Sequence, residues 1–309
     1  MRYENLTIGR GRIDELYLGD ANGREGSRVS FVEQPGQIYY VDGNRSTTGN
    51  GKSWATAYKT LSEGLAASHA NIALTAARNW AGRNTIYLKA DSITEDLILF
   101  ADKTDVVGVG AKDSYDMPCI VGNHVPAANG LSTRFFNVQF RGDLTAGADI
   151  MTLDSSNEGI VFNGCQFEGW STTPATGGIV ATASPRLRIE NCKFLGAFSD
   201  AAIELGAGDG NGTVIVGNII QSAAIGIKVD SSFTCANEQA FINDNRIFCS
   251  GSGLIIDENS DKIGVFGNYG CCVAGAFGAT SHDLNVKMAA GNIFTGSDVT
   301  GTVPFATIA

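Results

Sequence analysis

FFNVQFRG (135–142), FNGCQFEG (162–169), IENCKFLG (189–196), IVGNIIQS (215–222) and INDNRIFC (242–249) are versions of one apolar strand carrying a short polar turn. Asn137, Gly164, Asn191, Asn218 and Asn245 follow one another at steps of 27 residues, and Asn268 and Asn292 continue the series at steps of 23 and 24. A fixed period of this size marks a repeat architecture, in which each unit buries its apolar face only by stacking on its neighbours. A second strand accompanies each repeat: DIMTLD (149–154), GIVATA (178–183), AIELGA (202–207), GIKVDS (226–231) and GLIIDE (253–258). Within it Ile179, Ile203, Ile227 and Leu254 are spaced by 24, 24 and 27. Two ladders of one average period predict a solenoid of eight or nine coils. Asn137, Asn191, Asn218, Asn245, Asn268 and Asn292 are then expected as one structural column bonded side chain to side chain along the axis. At Gly164 the turn is expected to survive on backbone freedom alone.

Upstream, IYYVD (38–42) reads as a strand and GNRSTTGNGKS (43–53) as a loop. From Trp54 onward, Ala57, Tyr58, Leu61, Leu65 and Ala66 follow helical spacing, with Ser53 as the expected N-cap and a second helical stretch over about 70–80 ended by Gly82. Tyr40-Val41-Asp42 and the run Gly51-Lys52-Ser53-Trp54-Ala55-Thr56-Ala57-Tyr58-Lys59-Thr60-Leu61 resemble the start of pectate-lyase-like right-handed β-helix proteins. The resemblance implies an all-β fold, a single-stranded right-handed parallel β-helix, with an N-terminal α-helical cap over its first coil. It implies little about activity. A helix across that end would cover both an apolar core and unpaired strand edges. The division expected is a 1–37 arm, a 38–84 cap of strand, loop and helices, and an 85–309 β-helix.

The first 37 residues lack the later period and carry five arginines, Arg2, Arg10, Arg12, Arg24 and Arg28. Short apolar groups broken by GRGR and GDANGREGS read as an extended arm or small hairpin, poorly stable alone. Leu6, Ile8, Arg10, Arg12, Ile13 and Leu16 are the expected attachment residues.

Glycine, at 39 of 309 residues, stands near 13% against a usual value of about 7%, and proline numbers only 6. Many tight turns between short strands require that composition. A net charge of −10 argues against nucleic acid as a partner. The opening MRYENLTIGRGRID has no apolar core, and no stretch approaches 18 apolar residues, so a membrane is not expected and synthesis is expected in the cytoplasm. The cysteine count is odd, at 7, and His69, His124 and His282 lie far apart. Buried free thiols, with Cys165 and Cys192 stacked in adjacent coils, are expected in place of a metal site; no cofactor is expected.

Candidates for chemistry are sparse. An acidic edge gathers Asp154, Glu158, Asp209, Asp230, Glu238, Asp257, Glu258 and Asp261. Asp230 and Asp257, 27 apart, are expected as vertical neighbours, and a carboxylate pair of suitable separation hydrolyses glycosides. Turn-forming residues on a solvated edge account for the same pattern. DENSD (257–261) begins like a calcium loop, but Lys262 stands where glycine is needed. GDGNG (208–212) leads into a strand and offers no helix N-terminus to a phosphate. Ser281-His282-Asp283 are adjacent and cannot converge as a triad. Trp170, with Asp230 and Asp257, marks the expected glycan-facing surface.

LTIGRGRI (6–13) resembles the starts of small podophage structural proteins. Together with the β-helix, this implies a tailed-bacteriophage virion protein made in the host cytoplasm, non-enzymatic, and homotrimeric through its flat faces. It would be held to a capsid or tail protein by the arm. With no trimer-forming domain expected after GTVPFATIA, capsid decoration is favoured; a tailspike binding or cleaving host surface glycan is the alternative.

Overall fold

A computed structural model describes residues 36–74, 82–89, 91–110, 117–126, 130–143, 147–169, 174–222, 224–256, 263–272, 275–277 and 288–295, with the strand backbones at 15–17 and 28–30. The chain is a parallel β-solenoid with three long sheets. The first sheet has ten strands, from Ile38–Val41 to Met288–Ala290; the second has nine, from Ser92–Thr94 to Ile293–Thr295; the third has six, from Met151–Leu153 to Gly275–Phe277. Six turns contribute a strand to every sheet. The expected eight or nine coils included turns at 84–121 and 288–295, which supply described strands to the first two sheets alone.

Register follows the inward side chains. Phe135, Phe162, Ile189, Ile215, Ile242 and Val265 are successive partners in the first sheet. Ile179, Ile203, Ile227 and Leu254 are partners in the third, as their spacing predicts. Inside, Phe140, Phe167 and Phe194 stack ring on ring at 5.2 and 4.9 Å, and Phe135 stacks on Phe162 at 5.4 Å. Flat rings repeated near the strand spacing pack face to face along the core.

The expected asparagine column divides into two. Between the first and second sheets the chain bends at a residue with positive φ: Asn137, Gly164, Asn191, Gly217, Asp244, Gly267 and Gly291, all between 53° and 68°. Only residue types that tolerate the left-handed region occupy this position. The next residue points inward: Val138, Cys165, Cys192, Asn218, Asn245, Asn268 and Asn292, all buried. Asn137 and Asn191 therefore belong to the bend, and only the last four asparagines form the bonded column. The period of 27 conceals this because the step from Asn191 to its true equivalent, Gly217, is one residue shorter.

Within the column every amide group is engaged. Asn245 Oδ1 accepts from Asn218 N (3.0 Å) and Nδ2 (2.9 Å), and Asn245 Nδ2 donates to Ile215 O at 3.0 Å. Asn268 and Asn292 repeat the pattern. At the head of the column Asn218 Oδ1 accepts from Cys192 N at 2.8 Å. Cys165 and Cys192, in the same position two and one turns earlier, donate their thiols to Phe135 O and Phe162 O, each at 3.4 Å.

The single described helix, α1 (Leu61–Leu74), starts later than its apolar spacing predicts, and Trp54–Thr56 is a separate 3₁₀ turn. Ser53 makes no backbone cap. Thr60 and Glu63 do, as a reciprocal box: Glu63 N donates to Thr60 Oγ1 (3.2 Å) and Thr60 N donates to Glu63 Oε2 (3.1 Å). Leu61 N and Ser62 N donate to the carboxylate of Glu95. The predicted second helix near 70–80 is the end of α1, with 75–81 outside the described residues. Leu61 and Leu65 are buried in the core, where Val41 and Ile86 lie beside Gly64.

The helix does not close the strand edge as expected. The free edge of Ile38–Val41 is taken by the loop: Tyr40 N donates to Gly51 O, Tyr58 N to Tyr40 O, and Asp42 N to Tyr58 O, each at 2.9 Å. Helix and loop thus divide the capping of the first turn. Of the 1–37 arm, Glu15–Tyr17 and Arg28–Ser30 pair antiparallel, with Leu16 opposite Val29.

Asn245→Ala is expected to cost about 3 kcal/mol, because it strips buried donors of Asn218 and the carbonyl of Ile215 of their partners. Asn191→Gly, at the bend, should change stability by less than about 1 kcal/mol. Equilibrium urea unfolding distinguishes the two; equal losses would restore the single column of asparagines.

Candidate interaction surface

The acidic edge consists largely of turn residues. Asp154 Oδ1 accepts from Ser156 N (2.8 Å), Asp209 Oδ1 from Asn211 N (2.9 Å), and Asp230 Oδ1 from Ser232 N (2.8 Å). Each carboxylate closes its own turn two residues on. Glu158 and Glu238 are clasped by Arg186, whose Nη1 lies 2.8 Å from Glu158 and Nη2 2.9 Å from Glu238. Gly212 occupies the intervening turn, where a Cβ would stand 2.5 Å from Glu238 Oε2, so glycine lets the arginine reach across. The hydrogen bond from Arg186 holds the Glu238 carboxyl below its ordinary range.

Several predicted residues lie outside the described ones: Trp170, Asp257, Glu258, Asn259, Asp261, Lys262, the Ser281–Asp283 run, and Leu6, Ile8, Arg10, Arg12 and Ile13. Leu16 is described only as strand backbone. The glycines of 208–212 serve close packing: Gly208–Asp209 pairs with Phe233–Thr234, and a Cβ on Gly210 would enter the Phe233 ring. Among the described residues no group of three or more His, Cys, Asp or Glu side chains could hold a metal, and no helix is long and apolar enough to cross a membrane.

His124 lies in the core, edge-on to Phe140 at 5.4 Å. Its Nδ1 accepts from Leu97 N at 3.1 Å, so the neutral ring carries its proton on Nε2. Burial is the main cause that lowers its pKa from 6.5 to about 4, opposed by the charge of Asp96.

The outward face of the second sheet changes character along the solenoid. In the earlier turns it is a polar network, with Arg141 Nη2 2.6 Å from Glu168 and Gln139 Nε2 donating to the same carboxylate. Later, one outward row runs Lys193, Ile219, Arg246, Tyr269, and a second runs Gln221, Phe248, Cys271. These rows contain no carboxylate, in a chain with 32 acidic residues. Phe248 is 42% exposed and Tyr269 39%, and the Arg246 guanidinium sits 5.4 Å from the Tyr269 ring centre. A second aromatic group lies at the capped end, where Trp54 meets Tyr40 edge-on at 4.9 Å and Tyr87 lies 5.9 Å from Tyr40.

Neither surface was singled out from the sequence. The signal was present in the alternation: in RIFC (246–249) Ile247 faces inward, which turns Arg246 and Phe248 outward. No protein-family profile, curated protein or solved structure matches this chain.

Titration of His124 gives a pH test. Between pH 6.5 and about 4 the unfolded chain binds a proton that the folded core excludes. Stability is therefore full above pH 6.5 and falls as the pH drops through that window, by about 3 kcal/mol when complete. His124→Gln should flatten this slope in urea midpoints measured from pH 7 to pH 4.5; an unchanged slope would assign it to other groups.

Proposed function

We propose that this chain is a structural protein of a tailed-bacteriophage virion: a capsid decoration protein, wound right-handed, attached through residues 1–37 to a capsid or tail protein, and self-associated as a homotrimer. The observation that carries the self-association is the carboxylate-free outward face of the second sheet at Ile219, Arg246, Phe248, Tyr269 and Cys271. In a cyclic assembly, a column running parallel to the symmetry axis meets its own copies. For a chain of net charge −10, rows that carry aromatic and basic residues but no carboxylates are where like-charged copies approach at least electrostatic cost. A solenoid with interlocked turns supplies the stiffness a projecting part needs. The turn and ion-pair roles of Asp154, Glu158, Asp209, Asp230 and Glu238 agree with a non-enzymatic reading.

The second reading is a receptor-binding tailspike. It is favoured by the Tyr40–Trp54–Tyr87 group, in which an exposed Trp54 and two half-buried tyrosines offer amphipathic ring surface of the kind that suits a sugar face.

Light scattering on the eluting protein is expected to report a trimer, and Phe248→Asp with Tyr269→Asp a folded monomer. A wild-type monomer at micromolar concentration would remove the self-association. Full-length protein should be captured by particles of its parent phage lacking it, and a variant without residues 1–37 should not; equal capture counts against the arm. New reducing ends from capsular or lipopolysaccharide glycan, lost on Asp230→Asn, would replace the first reading with the second.

A further inference from the structure

Cys249 and Cys272 end neighbouring strands of the second sheet and are direct register partners. Their Sγ atoms stand 3.2 Å apart, across 23 residues of sequence, and the two residues are only 7% and 1% exposed. In-register parallel neighbours lie ~4.8 Å apart, within the Cα separations that a disulfide spans. Cys271 alternates to the opposite face of the sheet and is exposed. The two buried thiols therefore face each other while the third faces solvent.

We propose that Cys249 and Cys272 are an oxidation site: a dithiol that closes to a disulfide between consecutive turns when the protein meets a small peroxide. Hydrogen peroxide is close to water in size and suits a site that larger disulfide reagents cannot enter. The Cys249 thiol donates its hydrogen to Cys272 Sγ, which lowers the Cys272 pKa and raises that of Cys249. Since Cys272 Sγ is the acceptor in this 3.2 Å contact, a thiolate there keeps its partner's hydrogen bond, and the attack is assigned to Cys272. Its sulfur attacks one peroxide oxygen, the O–O bond breaks, and the departing hydroxide takes a proton to become water. Cys272 is left as a sulfenic acid. Cys249 then loses its proton and attacks Cys272 Sγ; the S–O bond breaks, and the hydroxide released gains that proton as a second water. One peroxide is reduced to two waters and two thiols are oxidised to one disulfide.

The bond would staple the turn at 240–256 to the turn at 263–277, constraining the unfolded chain across the intervening loop. The inference stands apart from the virion reading, because it concerns one chain and its oxidant.

Folded protein is treated with hydrogen peroxide, quenched with N-ethylmaleimide, and mapped by mass spectrometry without reduction. The expected product is a linked peptide pair containing Cys249 and Cys272, lighter than the two thiol peptides by about 2 Da, and released by dithiothreitol. The thermal midpoint should rise on oxidation in wild type and in Cys271→Ser, but not in Cys249→Ala. Should Cys249→Ala fail to fold, wild-type mapping decides alone. A Cys271–Cys272 link overturns the proposal. So does alkylation of Cys249 and Cys272, after unfolding, in full yield from peroxide-treated protein, or their conversion to sulfinic acids without a link.

Discussion

At the corner between the first and second sheets, one residue bends through the left-handed region and the next turns its side chain into the core. That bend takes a backbone N–H out of the sheet ladder and buries it. A buried donor without an acceptor costs about 1–3 kcal/mol, and the corner recurs in every turn. In the later turns the asparagine of the following turn supplies the acceptor, as Asn245 Oδ1 does for Asn218 N. The same side chain spends its own two hydrogens on Asn268 and Ile215. The solenoid is thus held by groups that are satisfied only in register, and a slip of one residue would unpair the column as well as expose the core.

In the earlier turns the inward position carries other groups, and Cys192 N is the first corner donor to meet an asparagine, Asn218. Val138, Cys165 and Cys192 fill the inward position where the core carries stacked phenylalanines. Where the phenylalanines give way to Ile220 and Ile247, the inward position becomes asparagine. Core composition and corner chemistry therefore change at the same point along the axis. Close to that point the outer face of the second sheet also loses its carboxylates, so one length of solenoid differs inside and out from the other.

Sequence periodicity made the class of fold legible because inward side chains must repeat at the coil length. The third-sheet column Ile179, Ile203, Ile227 and Leu254 could be read residue by residue, since a large aliphatic residue recurs there at the coil length. The corner could not, because asparagine suits both the left-handed bend, as at Asn191, and the buried acceptor, as at Asn218, and periodicity does not separate adjacent positions. The helix boundary was missed for a related reason: Ala57 and Tyr58 fit a helical stripe by spacing, yet Tyr58 is used to pair the edge of the first strand. The outward aromatics at Phe248 and Tyr269 lay within strands whose alternation gives the side each ring takes, but alternation does not show that neighbouring turns set the two rings on one face without carboxylates.

The asparagine column also has a direction. Every link between two asparagines runs from an amide donor in one turn to the oxygen in the turn that follows, while the remaining Nδ2 hydrogen reaches back to a carbonyl of the turn before, so the N–H at a corner stays open until the next length of chain has been laid against it. Translation delivers the chain in that same order, with the helix-covered end first. A nascent chain of this kind is secured from behind by whatever emerges next, and a ribosome stalled between turns would hold a rod whose newest corner is still open.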